Sequence, residues 1–242
     1  MIDAHCHLEH YRDSFQIAAE IERLGVYTIA VSMVPEGFLQ TQERVRASKF
    51  IRAALGLHPA FAKTHRHTLG EFSRLVNSTK YIGEIGLDYS LKDVDKNVQK
   101  EVFEEILEFI KGTNKIVSVH SVRSAPDVLK FLIEHSQKLV IFHWYSGDKK
   151  TLERLLDHGY YVSVNPAMIQ SENGRKIIDL LPRDRTLTET DGPFVKFDNR
   201  PVRPADMEEL EHRLAGFWKV SREEVSQQLK TNFKRLLEST TI

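Results

Sequence analysis

The 242-residue sequence predicts an α/β fold, a parallel (β/α)8 TIM barrel organised as one domain over residues 1–242. Three observations predict it. Eight short segments, apolar and rich in β-branched or aromatic residues, each end in a polar residue or a turn. They recur at near-regular intervals, with helical patterns between most of them. No Pro/Gly/Ser-rich linker, low-complexity run or shift in composition divides the chain. An open doubly wound sheet is the competing arrangement. Its nucleotide-binding version has little support, because no GxGxxG or GxxxxGKS/T loop follows any strand.

In order, the expected strands are MIDAHCH (1–7), YTIAVSM (27–33), RAALGLH (52–58), KYIGEIGLD (80–88), KIVSVHS (115–121), KLVIFHW (138–144), YYVSVNP (160–166) and RTLTETD (185–191). After the first, Ser14 caps a helix whose Ile17, Ala18, Ile21 and Leu24 share one face, with Gly25 as its stop. Between the fourth and fifth, Val98, Val102, Phe103, Ile106, Leu107 and Ile110 form a broad apolar stripe closed by Gly112. Two last helices, around 205–217 and 222–237, meet at Ser221, and Glu224 completes a capping box with it.

Charge narrows the function less than the fold. Lys plus Arg is 34 and Asp plus Glu is 34, so no overall positive field draws the chain to duplex DNA or an anionic membrane. A polyanionic substrate stays open, because bound divalent cations supply positive charge locally. One cysteine makes no internal disulfide, no signal peptide is read, and the apolar runs are too short to span a bilayer. These features lead to the expectation of a cytoplasmic protein without a membrane partner.

The chemistry collects where a parallel barrel works, at the carboxyl ends of the strands. His5 and His7 end the first, His58 the third, His120 the fifth, His143 the sixth and Asp191 the eighth, and Glu84 lies inside the fourth. Alternation sends His5 and His7 to the barrel interior and Cys6 toward the helices, so the thiol is read as packing. A lone strand-end histidine is ordinarily a hydrogen-bonded structural residue. Five at one barrel mouth, with the other six of the 11 histidines in loops and helices, point instead to metal ligation. Glu84 and Asp191 in apolar strands are costly unless paired or bound to a cation. Four imidazoles and two carboxylates exceed what one tetrahedral ion takes, so two divalent ions sharing a carboxylate fit better. Donors of nitrogen and oxygen without thiolate leave Mg, Mn and Zn open.

In order along the chain, DAHCHL (3–8), GLHP (56–59), GEIGLDY (83–89), VSVHS (117–121), IFHWYSG (141–147) and ETDGP (189–193) resemble the motifs of the TatD family of metal-dependent deoxyribonucleases, a branch of the amidohydrolase-like barrels. QKEVFEEILEF (99–109) and TNFKRLL (231–237) extend the resemblance over essentially the whole chain. It implies that His5, His7 and Asp191 hold one ion, that His120 and His143 hold the other, and that Glu84 bridges them. It implies metal-dependent DNA hydrolysis, an exonuclease working 3′ to 5′ on single strands. Asp191 would orient or deprotonate the attacking water, and His58 would contact the phosphate or assist proton transfer.

The rim departs from the family pattern. Val122 stands where an arginine usually follows the fifth-strand histidine, leaving Arg123, one place later, as the candidate phosphate contact. Trp144 and Tyr145 are the candidates for stacking on a base. Such drift keeps two alternatives in view. The same cage serves a D-aminoacyl-tRNA deacylase or another ester or amide hydrolase. A TatD-like subunit of a larger prokaryotic assembly, such as an anti-phage defence system, would also use protein partners.

Overall fold

The computed structural model describes residues 1–197 and 199–240. Eight strands run parallel: β1 (Ile2–Cys6), β2 (Tyr27–Val31), β3 (Ile51–Ala54), β4 (Tyr81–Asp88), β5 (Ile116–Val122), β6 (Val140–His143), β7 (Tyr161–Val164) and β8 (Thr186–Thr188). They form two ladders, β1-β2-β3 and β4-β5-β6-β7-β8. Two seams bring the ladders round into the barrel arrangement. At one, Leu55 bridges Ile82, and the Leu55 N–H donates to Tyr81 O at 3.0 Å. At the other no ladder forms; instead Thr188 Oγ1 donates to Ile2 O, the Asp191 N–H to His5 O and the His7 N–H to Gly192 O.

The helices fill the connections: α1 (Ser14–Leu24), α2 (Pro35–Arg44), α3 (Ala62–His65), α4 (Leu69–Leu75), α5 (Lys96–Phe109), α6 (Ala125–Glu134), α7 (Lys149–Asp157), α8 (Pro166–Gln170), α9 (Glu172–Leu180), α10 (Met207–Trp218) and α11 (Arg222–Glu238). Their ends follow from local chemistry. Gly25 closes α1 at φ 64°, a left-handed conformation that a residue without Cβ adopts cheaply. Ser221 and Glu224 form the expected capping box at α11. Ser14 differs from expectation, because it is the first residue of α1 and its hydroxyl accepts from Arg44 Nη1 at 2.8 Å.

Two apolar clusters make up most of the core, with a small third of Val195, Phe197 and Val202. The larger lies between strands and helices and includes Cys6, Ile17 and Ile21, so the cysteine faces outward as its position in β1 predicted. The smaller fills the barrel: Ile2, Ala4, Ile29, Val31, Ala54, Tyr81, Ile116, Ile141, Tyr161 and Leu187 pack against Phe233 and Leu236 of α11. The last helix therefore plugs the end of the barrel away from the histidines.

Several strands stop short of the sequence expectation. β3 ends at Ala54 and β8 at Thr188, which leaves His58 and Asp191 in the turns beyond them. Their backbone groups pair across neighbouring segments, as in the His58 N–H donating to Met33 O at 2.9 Å.

Candidate metal centre

Two slips in the ladders aim the candidate ligands. The β1–β2 register shifts between Asp3 and Cys6, and the β4–β5 register between Ile82 and Ile85. Ile2 and Ala4 line the barrel core, and the slip lets His5 and His7 turn inward while Cys6 joins the outer cluster. Likewise Tyr81 faces in, Ile82 and Ile85 face out, and Glu84 points into the mouth. A bulge re-aims side chains in this way, at the expense of one ladder pair.

Gly56 allows the second of these slips. The Glu84 N–H donates to Ser32 O and the Ser32 N–H to Gly83 O, both at 3.0 Å. A Cβ on Gly56 would stand 1.9 Å from the Ser32 oxygen and 2.5 Å from the Glu84 nitrogen. Only glycine fits between them.

Six side chains converge, and they do so as two sets. In the first, His5 Nε2 lies 3.2 Å from His7 Nε2, 3.5 Å from Glu84 Oε2 and 3.9 Å from Asp191 Oδ1. His7 Nε2 lies 3.2 Å from Glu84 Oε2 and 3.5 Å from Asp191 Oδ1. In the second, His120 Nδ1 and His143 Nε2 are 3.3 Å apart and lie 2.6 and 2.8 Å from Glu84 Oε1. Donors held ~2.0–2.2 Å from a tetrahedral ion stand roughly 3.4 Å from one another. The first set has that spacing on almost every edge. The second is contracted around Glu84 Oε1, whose charge draws both rings inward.

Electrostatics supports the same reading. Burial alone would raise the Glu84 carboxyl, but His58, His143, His120 and His5 hold it well below the usual carboxylate range. Asp191 is pushed up to about 7 by burial, against the pull of His143 and His7. Burial, helped by His143, keeps His5 well below the ordinary imidazole value, and burial lowers His58 to about 3. Burial also opposes charge on His120 and His143, yet Glu84, with Asp88 beside the first and Glu189 beside the second, raises both. Buried donors of this kind, nitrogen and oxygen without thiolate, fit a hard or borderline divalent cation.

Sequence reasoning missed the groups that orient these ligands. Ser118 Oγ lies 2.8 Å from His5 Nδ1, which leaves Nε2 for the cage. Asp88 Oδ2 stands 3.1 Å from His120 Nε2. Glu189 is buried and accepts from the Trp144 N–H at 3.1 Å, from Asn165 Nδ2 at 3.0 Å and from the Ser163 hydroxyl, with His143 Nδ1 3.6 Å away. Asp3 accepts from both the N–H and the hydroxyl of Thr190 at 2.8 Å, tying β1 to the turn that carries Asp191. Asp3, Asp88 and Glu189 lie inside DAHCHL, GEIGLDY and ETDGP, so acidic residues in otherwise buried strands were their available signal.

His58 serves two ends. Its Nδ1 accepts from the Ala60 N–H at 3.1 Å, anchoring the turn at Pro59. That bond assigns the proton to Nε2, which faces Glu84 Oε1 at 3.6 Å, so the ring is a donor toward the centre. Trp144 lines the cavity of ≈420 Å³ above the cage and is 37 % exposed. Tyr145 does not reach that cavity, contrary to expectation. Its ring is buried beside Phe142, and its hydroxyl donates to Asp148 O at 2.7 Å, folded over Gly147, where a Cβ would collide with it. Arg123 departs too: at φ 53° it turns away after β5 and stands exposed, outside the cavity wall, which Val122 joins instead.

An eight-stranded α/β barrel with these donors at its mouth defines a metal-dependent hydrolase. The sequence profile described as TatD related DNase matches residues 2–238, and the chain belongs to that family. Among similar proteins, an uncharacterised metal-dependent hydrolase of Methanocaldococcus jannaschii is 29% identical over 80% of this chain and 79% of its own length. The uncharacterised metal-dependent hydrolase YcfH of Escherichia coli K12 is 27% identical over 98% and 95%. The crystal structure of the TatD homologue YjjV from Escherichia coli K12 superimposes with a TM-score of 0.89 at 26% identity, covering 98% of this chain and 97% of that one. No helix among the described residues is long and apolar enough to cross a membrane.

Proposed function

We propose that the protein hydrolyses phosphodiester bonds of DNA, removing nucleotides from the 3′ ends of single strands at a centre for two divalent ions. One observation carries the count: the two oxygens of Glu84 face different imidazole pairs, Oε2 toward His5 and His7 and Oε1 toward His120 and His143. Asp191 completes the first site. Magnesium, manganese or zinc bound there supplies Lewis acidity to the phosphoryl oxygens and to water.

The chain's own groups do the rest. Asp191, 3.5 Å from His7 and buried, takes a proton from the attacking water. His58 donates a hydrogen bond from Nε2 to a phosphoryl oxygen as charge builds there, and burial keeps its ring neutral for the task. The water oxygen bonds to phosphorus, the bond from phosphorus to the leaving oxygen breaks, and that oxygen takes up a proton from solvent while Asp191 returns its own to solvent. Glu84 and Ser118 keep the imidazoles in place throughout.

The test pairs metal content with cleavage. Protein loaded with manganese, magnesium or zinc should carry two ions per chain by elemental analysis and shorten 5′-labelled single-stranded DNA stepwise from its 3′ end. Glu84→Ala should lose both ions' affinity and the cleavage. One ion per chain with full activity overturns the two-ion centre, and no shortening with any of the metals overturns the nuclease reading.

A further inference from the structure

The wall above the cage is lopsided. Met33, Val122, Trp144 and Phe194 give it an apolar side, and no lysine or arginine lines it among the described residues. Trp144 and Phe194 are 37 % and 52 % exposed, two of the five large hydrophobic side chains left in solvent among the described residues. Bare apolar surface in a concave site marks a place for a ligand. Of the basic residues that follow the strands, Arg200 pairs with Asp206, Arg203 with Asp13 and Glu20, and Arg175 donates to Ile169 O and Gln170 O, while Lys92 and Arg123 are exposed and stand outside the cavity wall.

We infer that the mouth grips one flat, apolar group beside the scissile bond and makes no charged contact with substrate beyond the metal cage. The inference rests on the phosphodiesterase reading, in which that group is a single unpaired base stacked on Trp144 or Phe194. Aromatic faces accept any base, and desolvating them is favourable without an ionic partner. Room decides the extent, because ≈420 Å³ lies at the small end of ligand clefts, which run roughly 300–1,000 Å³. The flanking phosphates stay in solvent. The enzyme reads a strand end and follows no length of backbone.

The experiment measures kcat and KM of the metal-loaded full chain on a dinucleotide, a hexanucleotide and longer single strands across a salt series. A plot of log(1/KM) against log[salt] should slope no more steeply than about −0.7, the value for one phosphate contact on a single strand. KM should not improve with length beyond the shortest strands. Trp144→Ala and Phe194→Ala should raise KM roughly 5- to 100-fold, the range of one lost stack, with kcat nearly kept. Trp144→Phe should restore most of it, and an unchanged melting temperature shows that the variants fold. Val122→Arg, which puts a cation on the wall, should steepen the salt slope by about 0.7. A wild-type slope several times steeper, with KM falling steadily as strands lengthen, overturns the inference, as does wild-type KM in both alanine variants. Faster turnover of an uncharged aryl or aminoacyl ester than of any oligonucleotide overturns the base as occupant. Failure of the function reading itself looks different: no strand is cut at any salt, and the inference then falls with it.

Discussion

His5 shows how much a single hydroxyl decides. A ring with two nitrogens offers a metal either one, and Ser118 Oγ, 2.8 Å from Nδ1, engages that side and leaves Nε2 among His7, Glu84 and Asp191. Removing that bond frees the ring to rotate and to exchange tautomers. Ser118→Ala should therefore weaken metal binding by roughly 10–100-fold, the usual effect of losing a ligand's partner. Stability should fall by about 1–3 kcal/mol, because the buried His5 Nδ1 loses its partner. Calorimetric titration with manganese gives the affinity; an unaltered constant would leave Ser118 without an orienting role. The convergence of these side chains at the barrel mouth was legible in the sequence, because histidines and carboxylates at the ends of apolar strands have no cheap alternative use. Ser118 was not legible, since a serine inside VSVHS reads equally as any small buried residue. Tyr145 was misread for the opposite reason: its neighbour Trp144 faces the mouth, and only the turn at Gly147 reveals that the next ring folds back to Asp148.

At the scale of elements, short apolar runs recurring at near-regular intervals were enough to find all eight strands, and the spacing of Ser221 and Glu224 was enough to find the capping box on α11. The slips in β1 and β4 were hidden, because a bulge is a property of two strands in register and a single strand's pattern does not carry it. The two ends of the barrel now make different predictions. Phe233 of α11 plugs the lower end, so Phe233→Ala should cost about 3–5 kcal/mol of stability and leave the metal stoichiometry of the folded protein unchanged. Gly56→Ala acts at the upper end, driving a methyl group against the Ser32 and Glu84 backbones. It should cost about 3 kcal/mol by overpacking and also displace Glu84, so that bound metal drops further than the stability loss explains. Urea unfolding with elemental analysis of the folded fraction separates the two. Equal metal content in both variants would show that Gly56 supports only the packing.

For the molecule as a whole, the cage trades folding stability for binding capacity, and pH sets the terms of the exchange. Without a cation, Glu84 raises the His120 and His143 rings, and burial lifts Asp191 to about 7, so the folded protein keeps protons that the unfolded chain releases more readily. Raised groups stabilise the metal-free fold below their unfolded values, and that contribution is lost as pH rises through their folded values; the lowered His5 and His58 rings act in the opposite sense only up to the ordinary imidazole value, above which they are neutral in both states. A divalent ion must displace the same protons, so its affinity grows over the same interval. The metal-free protein should thus lose stability between about pH 6 and pH 8 while the metal-bound protein gains affinity, and the gap between them should widen. With metal at ~100 times its dissociation constant, the linkage gives about 2.7 kcal/mol. At roughly 2–4 °C per kcal/mol for a domain of this size, melting temperature should rise by about 5–10 °C at pH 8 and by clearly less at pH 6. Calorimetric scans with and without a chelator at both values measure the four temperatures. A gain that is the same at both, or larger at pH 6, would mean that these protons and the metal do not compete for one cage.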